Sequence, residues 1–170
     1  MDKIVIEESG MKFGPFSKEN VYYIEKEDVY TKRFYACKIS EFFLKAENDK
    51  DEVYSVVEAK SSSPKPGSKE RFPEFIKEIN EKFINTFNII LSLRVGRDHL
   101  SEFQRPEFIT RDDLGKVVIN FILVINGHKK EWLPPLRDAL YKEMKAYLSI
   151  YDINILVMND ELALKHRLIS

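Results

Sequence analysis

The sequence predicts a mixed α/β fold: a central sheet that contains an antiparallel hairpin and has helices packed on it. Three observations carry this reading. β-Branched and aromatic clusters crowd the first third of the chain, two later stretches space their apolar residues by three and four, and a near-continuous apolar run separates those two.

Taken in order, Ile4-Val5-Ile6, Val21-Tyr22-Tyr23-Ile24, Ile39 to Ala46 and Val53 to Ala59 have the composition of strands. Gly10, Gly14 and Pro15 separate the first two. The polar segment Glu47-Asn48-Asp49-Lys50-Asp51 joins the next two as a hairpin. Ser61-Ser62-Ser63-Pro64-Lys65-Pro66-Gly67-Ser68 is dense in loop formers, so regular structure stops there. Beyond Pro73, the apolar residues Phe75, Ile76, Ile79, Phe83, Phe87, Ile90 and Leu91 line one side of a helix of about five turns, which Gly96 ends. Arg97 to Gly115, with Pro106 inside it, reads as a long polar excursion. Val117 to Ile125 is apolar enough for a strand covered on both faces. Pro134 and Pro135 suit a helix start, and Leu136, Leu140, Met144, Tyr147 and Leu148 give that helix its apolar face. Asp152 leads into a last strand, Ile153 to Met158, and Asp160 to Ser170 is either a short helix or an edge segment.

Composition bounds the function. With 170 residues the chain suits one domain, spanning 1–170, at a typical ~100–200 residues per domain. The 27 basic and 28 acidic residues leave a net charge of −1, so no global field draws the protein to nucleic acid or to an anionic membrane, and any phosphate affinity is local. One cysteine, Cys37, forms no intrachain disulfide, and residues 1–8 lack the pattern of a signal peptide, so a cytoplasmic location is expected. No apolar run reaches the ~20 residues that span a bilayer, so no membrane partner is expected. His99, His128 and His166 are scattered and read as surface residues. Phosphate-cradling glycine loops do not occur.

The stretch with chemical content is Val56-Val57-Glu58-Ala59-Lys60. Alternate strand residues share a face, which puts the Glu58 carboxylate and the Lys60 ammonium side by side, about 6.6 Å apart along the strand. If the hairpin turns at Asp49 and Lys50, paired residue numbers sum to 99 and Glu41 lies opposite Glu58, Cβ atoms about 4.5–5.5 Å apart. Two carboxylates at that distance repel, and a hard cation such as Mg²⁺ or Mn²⁺ between them relieves the repulsion. The alternative for the same residues is a half-solvated hairpin face with cross-strand ion pairs.

Glu58-Ala59-Lys60 after an acid on the preceding strand resembles the PD-(D/E)XK nuclease superfamily, with its restriction endonuclease-like core of helix, three strands, helix and strand. The resemblance implies a metal-dependent nuclease that hydrolyses phosphodiester bonds. It assigns Glu41 and Glu58 to the metal, lets the Ala59 carbonyl complete the shell, and has Lys60 orient or deprotonate the attacking water. Glu25 is the candidate for the extra acid of the family's leading helix. Ser61, Ser62, Lys65 and Lys69 in the loop after the motif, and Lys82 on the helix, are the expected nucleic-acid contacts. The second reading is a catalytically inactive nuclease-like binding or assembly protein of a phage or defence system, favoured by the isoelectric point of about 6.3. A protein partner or a homodimer is expected to supply the missing basic surface.

Overall fold

The computed structural model describes residues 2–47 and 51–170, and of Glu47 only the backbone. The predicted turn at Asp49 and Lys50 lies outside the described residues.

A five-stranded sheet runs in the order β3 (Val21–Tyr22), β4 (Phe42–Glu47), β5 (Glu52–Lys60), β6 (Val118–Ile125), β7 (Ile153–Asn159). The first three strands are antiparallel to their neighbours, whereas β5, β6 and β7 run parallel. Helix α1 (Arg71–Val95) forms the crossover from β5 to β6, and α3 (Leu133–Tyr151) the one from β6 to β7. A separate two-stranded sheet, β1 (Lys3–Glu8) with β2 (Met11–Ser17), and the short helix α4 (Asp160–Lys165) complete the elements discussed below, together with α2 (Glu107–Arg111). The mixed α/β class predicted from the sequence is the one observed.

The sheet is covered on both faces, which explains its near-continuous apolar central strands. One core joins Tyr54, Val56, Phe121 and Leu123 to the apolar stripes of α1 and α3. Phe83 of α1 stacks on Phe121 at 4.9 Å between ring centres. On the other face Phe42, Val57, Ala59, Ile122 and Val124 pack under β1, β2 and α4. Fully burying one such aromatic or aliphatic side chain contributes ~1.5–3 kcal/mol.

Four expectations need correcting. A strand, β2, passes straight through Gly14 and Pro15, which the sequence reading took as breakers. Gly14 has φ +99°, and a Cβ there would stand 2.7 Å from the Phe16 nitrogen and 2.9 Å from the Ile4 carbonyl, so only glycine lets the two strands approach. The Arg97 to Gly115 stretch is no polar excursion: Leu100, Phe103, Phe108 and Ile109 are buried, and Phe108 of α2 stacks on Phe43 and Tyr54 at 5.8 Å. Regular strand structure in β4 starts at Phe42 and not at Ile39, because the Ser40 amide turns away to donate to Thr86 of α1. His128 is buried, its ring meeting Trp132 edge-on at 5.3 Å.

Helix α1 is also longer than predicted, reaching back to Arg71, and its end is as expected: Gly96 takes the left-handed conformation, and its amide donates to Ser92. Among the described residues no helix is long and apolar enough to cross a membrane.

Candidate acidic site at the end of the central strand

The β4–β5 register pairs Phe42 with Val57 and Phe43 with Val56, so paired numbers sum to 99. Glu41, just outside the regular strand, slips one residue from this register: its amide donates to the Val57 carbonyl at 3.0 Å, so the predicted Glu41–Glu58 pair does not form, although the charge of Glu58 still acts on Glu41. Beyond that point Glu58, Ala59 and Lys60 pair only with Leu123, Val124 and Ile125 of β6. The E-X-K segment thus extends past its antiparallel partner and has one flank open to other elements.

Helix α1 fills part of that flank. Glu78, Lys82 and Thr86 are spaced by four and form one polar stripe beside the apolar face. Each meets a successive group of the sheet. Lys60 Nζ donates to Glu78 at 2.6 Å, Lys82 Nζ donates to Glu58 at 2.7 Å, and the Ser40 amide donates to Thr86 at 2.8 Å. Lys60 also lies 3.4 Å from Glu58, so the shared face predicted for these two side chains is observed. Glu58 is fully buried, and its second oxygen, Oε2, has no hydrogen-bond partner among the described residues. Burial pushes its carboxyl upward even though Lys82 and Lys60 oppose the shift. The half-solvated ion-pair face considered above does not describe a residue this deep.

The remaining flank is acidic. Glu8 at the end of β1, Glu25 in a single 3-10 turn and Glu41 each offer a carboxylate oxygen within 4.8 Å of the others. Glu41 is only 9% exposed, and burial, followed by the charges of Glu58 and Glu8, raises its pKa to about 8. The Tyr23 hydroxyl donates to Glu8. Burial and that bond to an anionic acceptor both push the phenol above its usual range.

The structure therefore gathers Glu25, Glu41, Glu58 and Lys60 in one neighbourhood. Within it, Glu41 groups with Glu8 and Glu25, while Glu58 is engaged by two ammonium groups. Ala59 points to the opposite face and is buried in the second core. Ser61, Ser62, Lys65 and Lys69 are exposed on the following loop, as a contact surface requires. Lys82, by contrast, is 17% exposed with its charge directed to Glu58.

Sequence reasoning missed Glu8, Tyr23 and Glu78. Glu78 had a readable signal, since Glu78, Lys82 and Thr86 run at four-residue spacing along the border of the apolar helical face. Glu8 had none, because only the tertiary placement of the N-terminal hairpin brings it to Glu41.

Compared with known family models, curated proteins and solved structures, the chain matches none of them.

Proposed function

We propose that this domain is a divalent-metal-dependent nuclease of the PD-(D/E)XK kind, hydrolysing phosphodiester bonds of nucleic acid. The observation that carries the reading is the convergence of three carboxylates beside a buried glutamate with an unpartnered oxygen and a lysine two residues further on. Support also comes from the element order: three antiparallel strands, a helix and a parallel strand, with the E-X-K segment at the strand end that extends past its partner.

The donor set fits Mg²⁺ or Mn²⁺, since all its side-chain groups are hard carboxylate oxygens. Glu41, Glu25 and Glu8 would hold the ion, with Glu58 Oε2 and, by resemblance, the Ala59 carbonyl as further ligands. When bound, such an ion polarises the phosphoryl group and makes water more acidic. The chain's own residues do the rest. Lys82 neutralises one oxygen of Glu58 and fixes the carboxylate's orientation. Glu78 holds the Lys60 ammonium in place and keeps it charged: burial opposes the charge, and the Glu78 bond with the Glu58 charge outweighs it. Lys60 then orients the attacking water and stabilises charge on the scissile phosphate.

The second reading, an inactive nuclease-like binding or assembly protein, is favoured by a different observation. Glu58 and Lys60 are already closed into ion pairs, and the net charge of −1 leaves no broad basic surface. Calorimetric titration with Mn²⁺, run beside a cleavage assay on single- and double-stranded nucleic acid, separates the two. The nuclease reading expects binding and cleavage, with both lost in Glu41→Ala and cleavage lost in Glu58→Gln. Absence of both in the unmodified protein would leave the assembly reading.

A further inference from the structure

Two chain segments leave adjacent strand ends at the acidic site and meet again a short distance away. The Lys60 carbonyl accepts from the Asn126 amide at 2.9 Å, which ties the end of β5 to the end of β6. From Lys60 the loop runs to Lys65, and from Asn126 the chain runs through Gly127 and the buried His128 to Trp132. There they close on each other: the Lys65 ammonium lies 5.8 Å from the centre of the Trp132 ring, and Lys129 lies 5.0 Å from it. Between them is a groove of about 560 Å³ lined by Lys65, Pro66, Gly67, Ser68, Trp132 and Pro135.

Packing accounts for only part of this arrangement, the edge-on contact of the ring with the buried His128 at 5.3 Å. Trp132 is half-buried, and what stands over its ring is a pair of exposed lysines. Neither lysine has a carboxylate partner among the described residues. A cation over an exposed ring contributes only ~0.5–1 kcal/mol, so a flat ligand displaces it at little cost. The displaced ammonium is then free for an anion beside that ligand. A flat ring system carrying an adjacent negative charge is a nucleotide with an unpaired base.

We propose that Trp132, flanked by Lys65 and Lys129, is a stacking platform for an unpaired nucleobase, so that the domain takes single-stranded nucleic acid or the single-stranded part of a branched one. The choice of nucleic acid rests on the nuclease reading, whereas the stacking itself needs no catalysis. Five residues of chain bound the distance from Lys60 to Lys65 at about 17 Å, so the platform holds the strand close to the phosphate being cut. Two ammonium groups suit a short stretch of single strand, which a net charge of −1 tolerates better than it tolerates a duplex.

Trp132 is the only tryptophan, so its emission reports the site directly. The protein is titrated in EDTA with a short fluorescein-labelled oligothymidylate, with its RNA counterpart and with a blunt duplex, following tryptophan quenching and, separately, anisotropy. The expected result is saturable quenching by a single strand of either sugar and none by the duplex. Trp132→Ala should weaken single-strand binding about 5- to 140-fold, the range that stacking of one base spans. Trp132→Phe, a smaller perturbation of the fold, should restore most of it, and Lys65→Gln with Lys129→Gln should flatten the salt dependence. The proposal is overturned if no single strand binds, if binding leaves the emission unchanged, if the duplex quenches equally, or if Trp132→Phe and Trp132→Ala both bind as tightly as the parent. Cleavage without quenching removes the platform alone. Quenching without cleavage, with Glu58→Gln quenched like the parent, removes the nuclease reading and keeps the platform.

Discussion

Strands β4 and β5 carry an ionic cluster at each end, and the two are built on opposite principles. At one end Lys45 bonds Asp112 at 2.7 Å and Glu52 at 2.9 Å, and Tyr54 also donates to Asp112. Burial pushes the Asp112 carboxyl up, yet the bonds from Lys45 and Tyr54 outweigh it and leave the carboxyl below its usual range. The bond to Asp112, chiefly, raises Lys45 despite its burial. Among the described residues, each of these charges has a partner. At the other end Glu41 is raised to about 8, Glu58 is raised as well, and one buried oxygen has no bonding partner among the described residues. A cluster that serves only stability resembles the first. Like charges brought together in partial burial cost free energy, and such arrangements collect at sites that bind or react.

The sharpest way to break this contrast is through pH. A carboxyl whose pKa is near 8 when folded and near 4.5 when unfolded holds its proton more tightly in the native state. Its contribution is therefore complete below about pH 4.5 and is lost as pH rises through about 8. In EDTA, Glu41→Gln should be more stable than the parent above pH 8, on the order of 5 kcal/mol, and should match it near pH 4.5. Parallel thermal-melting curves for the two proteins across this range would show that the acidic end carries no such cost.

A next, smaller effect concerns metal. Glu41→Ala should lower Mn²⁺ affinity by more than ~100-fold, beyond the ~10–100-fold loss typical of a group that only supports a ligand. Lys45→Met at the opposite end should leave that affinity unchanged while costing ~1–3 kcal/mol of stability, because Asp112 and Glu52 lose their ammonium partner. Chemical denaturation combined with calorimetry checks both, and a metal response to the Lys45 change would erase the distinction between the ends.

The smallest expected effect is at Glu78. Its carboxylate is 39% exposed, so Glu78→Gln should cost less than ~1 kcal/mol of stability. If it positions Lys60, the variant should shift the alkaline limb of any cleavage profile downward, since the Lys60 ammonium loses the partner that raises it. A stability loss with an unmoved profile would make Glu78 a purely structural ion pair.

Much of this was legible before the fold was known, for reasons that differ by residue. The hairpin register of β4 and β5 from Phe42–Val57 onward followed from one assumed turn and the period of two, whereas the predicted Glu41–Glu58 pair did not form, because the chain leaves the ladder at Glu41 and its amide bonds Val57 instead. Helix α1 followed from its apolar spacing, and β6 from an apolar run that only a doubly covered strand sustains. What could not be read depends on contacts distant in sequence. The approach of Glu8 to Glu41 needs β1 folded against the sheet, and β2 was hidden because a glycine required for close strand approach reads locally as a breaker. The stretch from Arg97 to Gly115 looked polar because its buried residues, Leu100, Phe103, Phe108 and Ile109, follow no single period. Lys82 was legible as a helical charge near the motif and was expected to contact nucleic acid, whereas in the fold its ammonium is directed to Glu58, 24 residues away.

The matched stripe of Glu78, Lys82 and Thr86 also sets where this chain can change length. One residue inserted between Glu78 and Thr86 would turn the downstream stripe by about 100°, and one inserted between Val57 and Lys60 would exchange the two faces of the strand. The loop at 61–70, which joins strand to helix, absorbs either sign of change without altering the phase of its neighbours. Natural length variants of this domain should therefore place their insertions and deletions in that loop, outside the Lys65–Ser68 stretch that lines the Trp132 groove, and spare the segments on both sides of it.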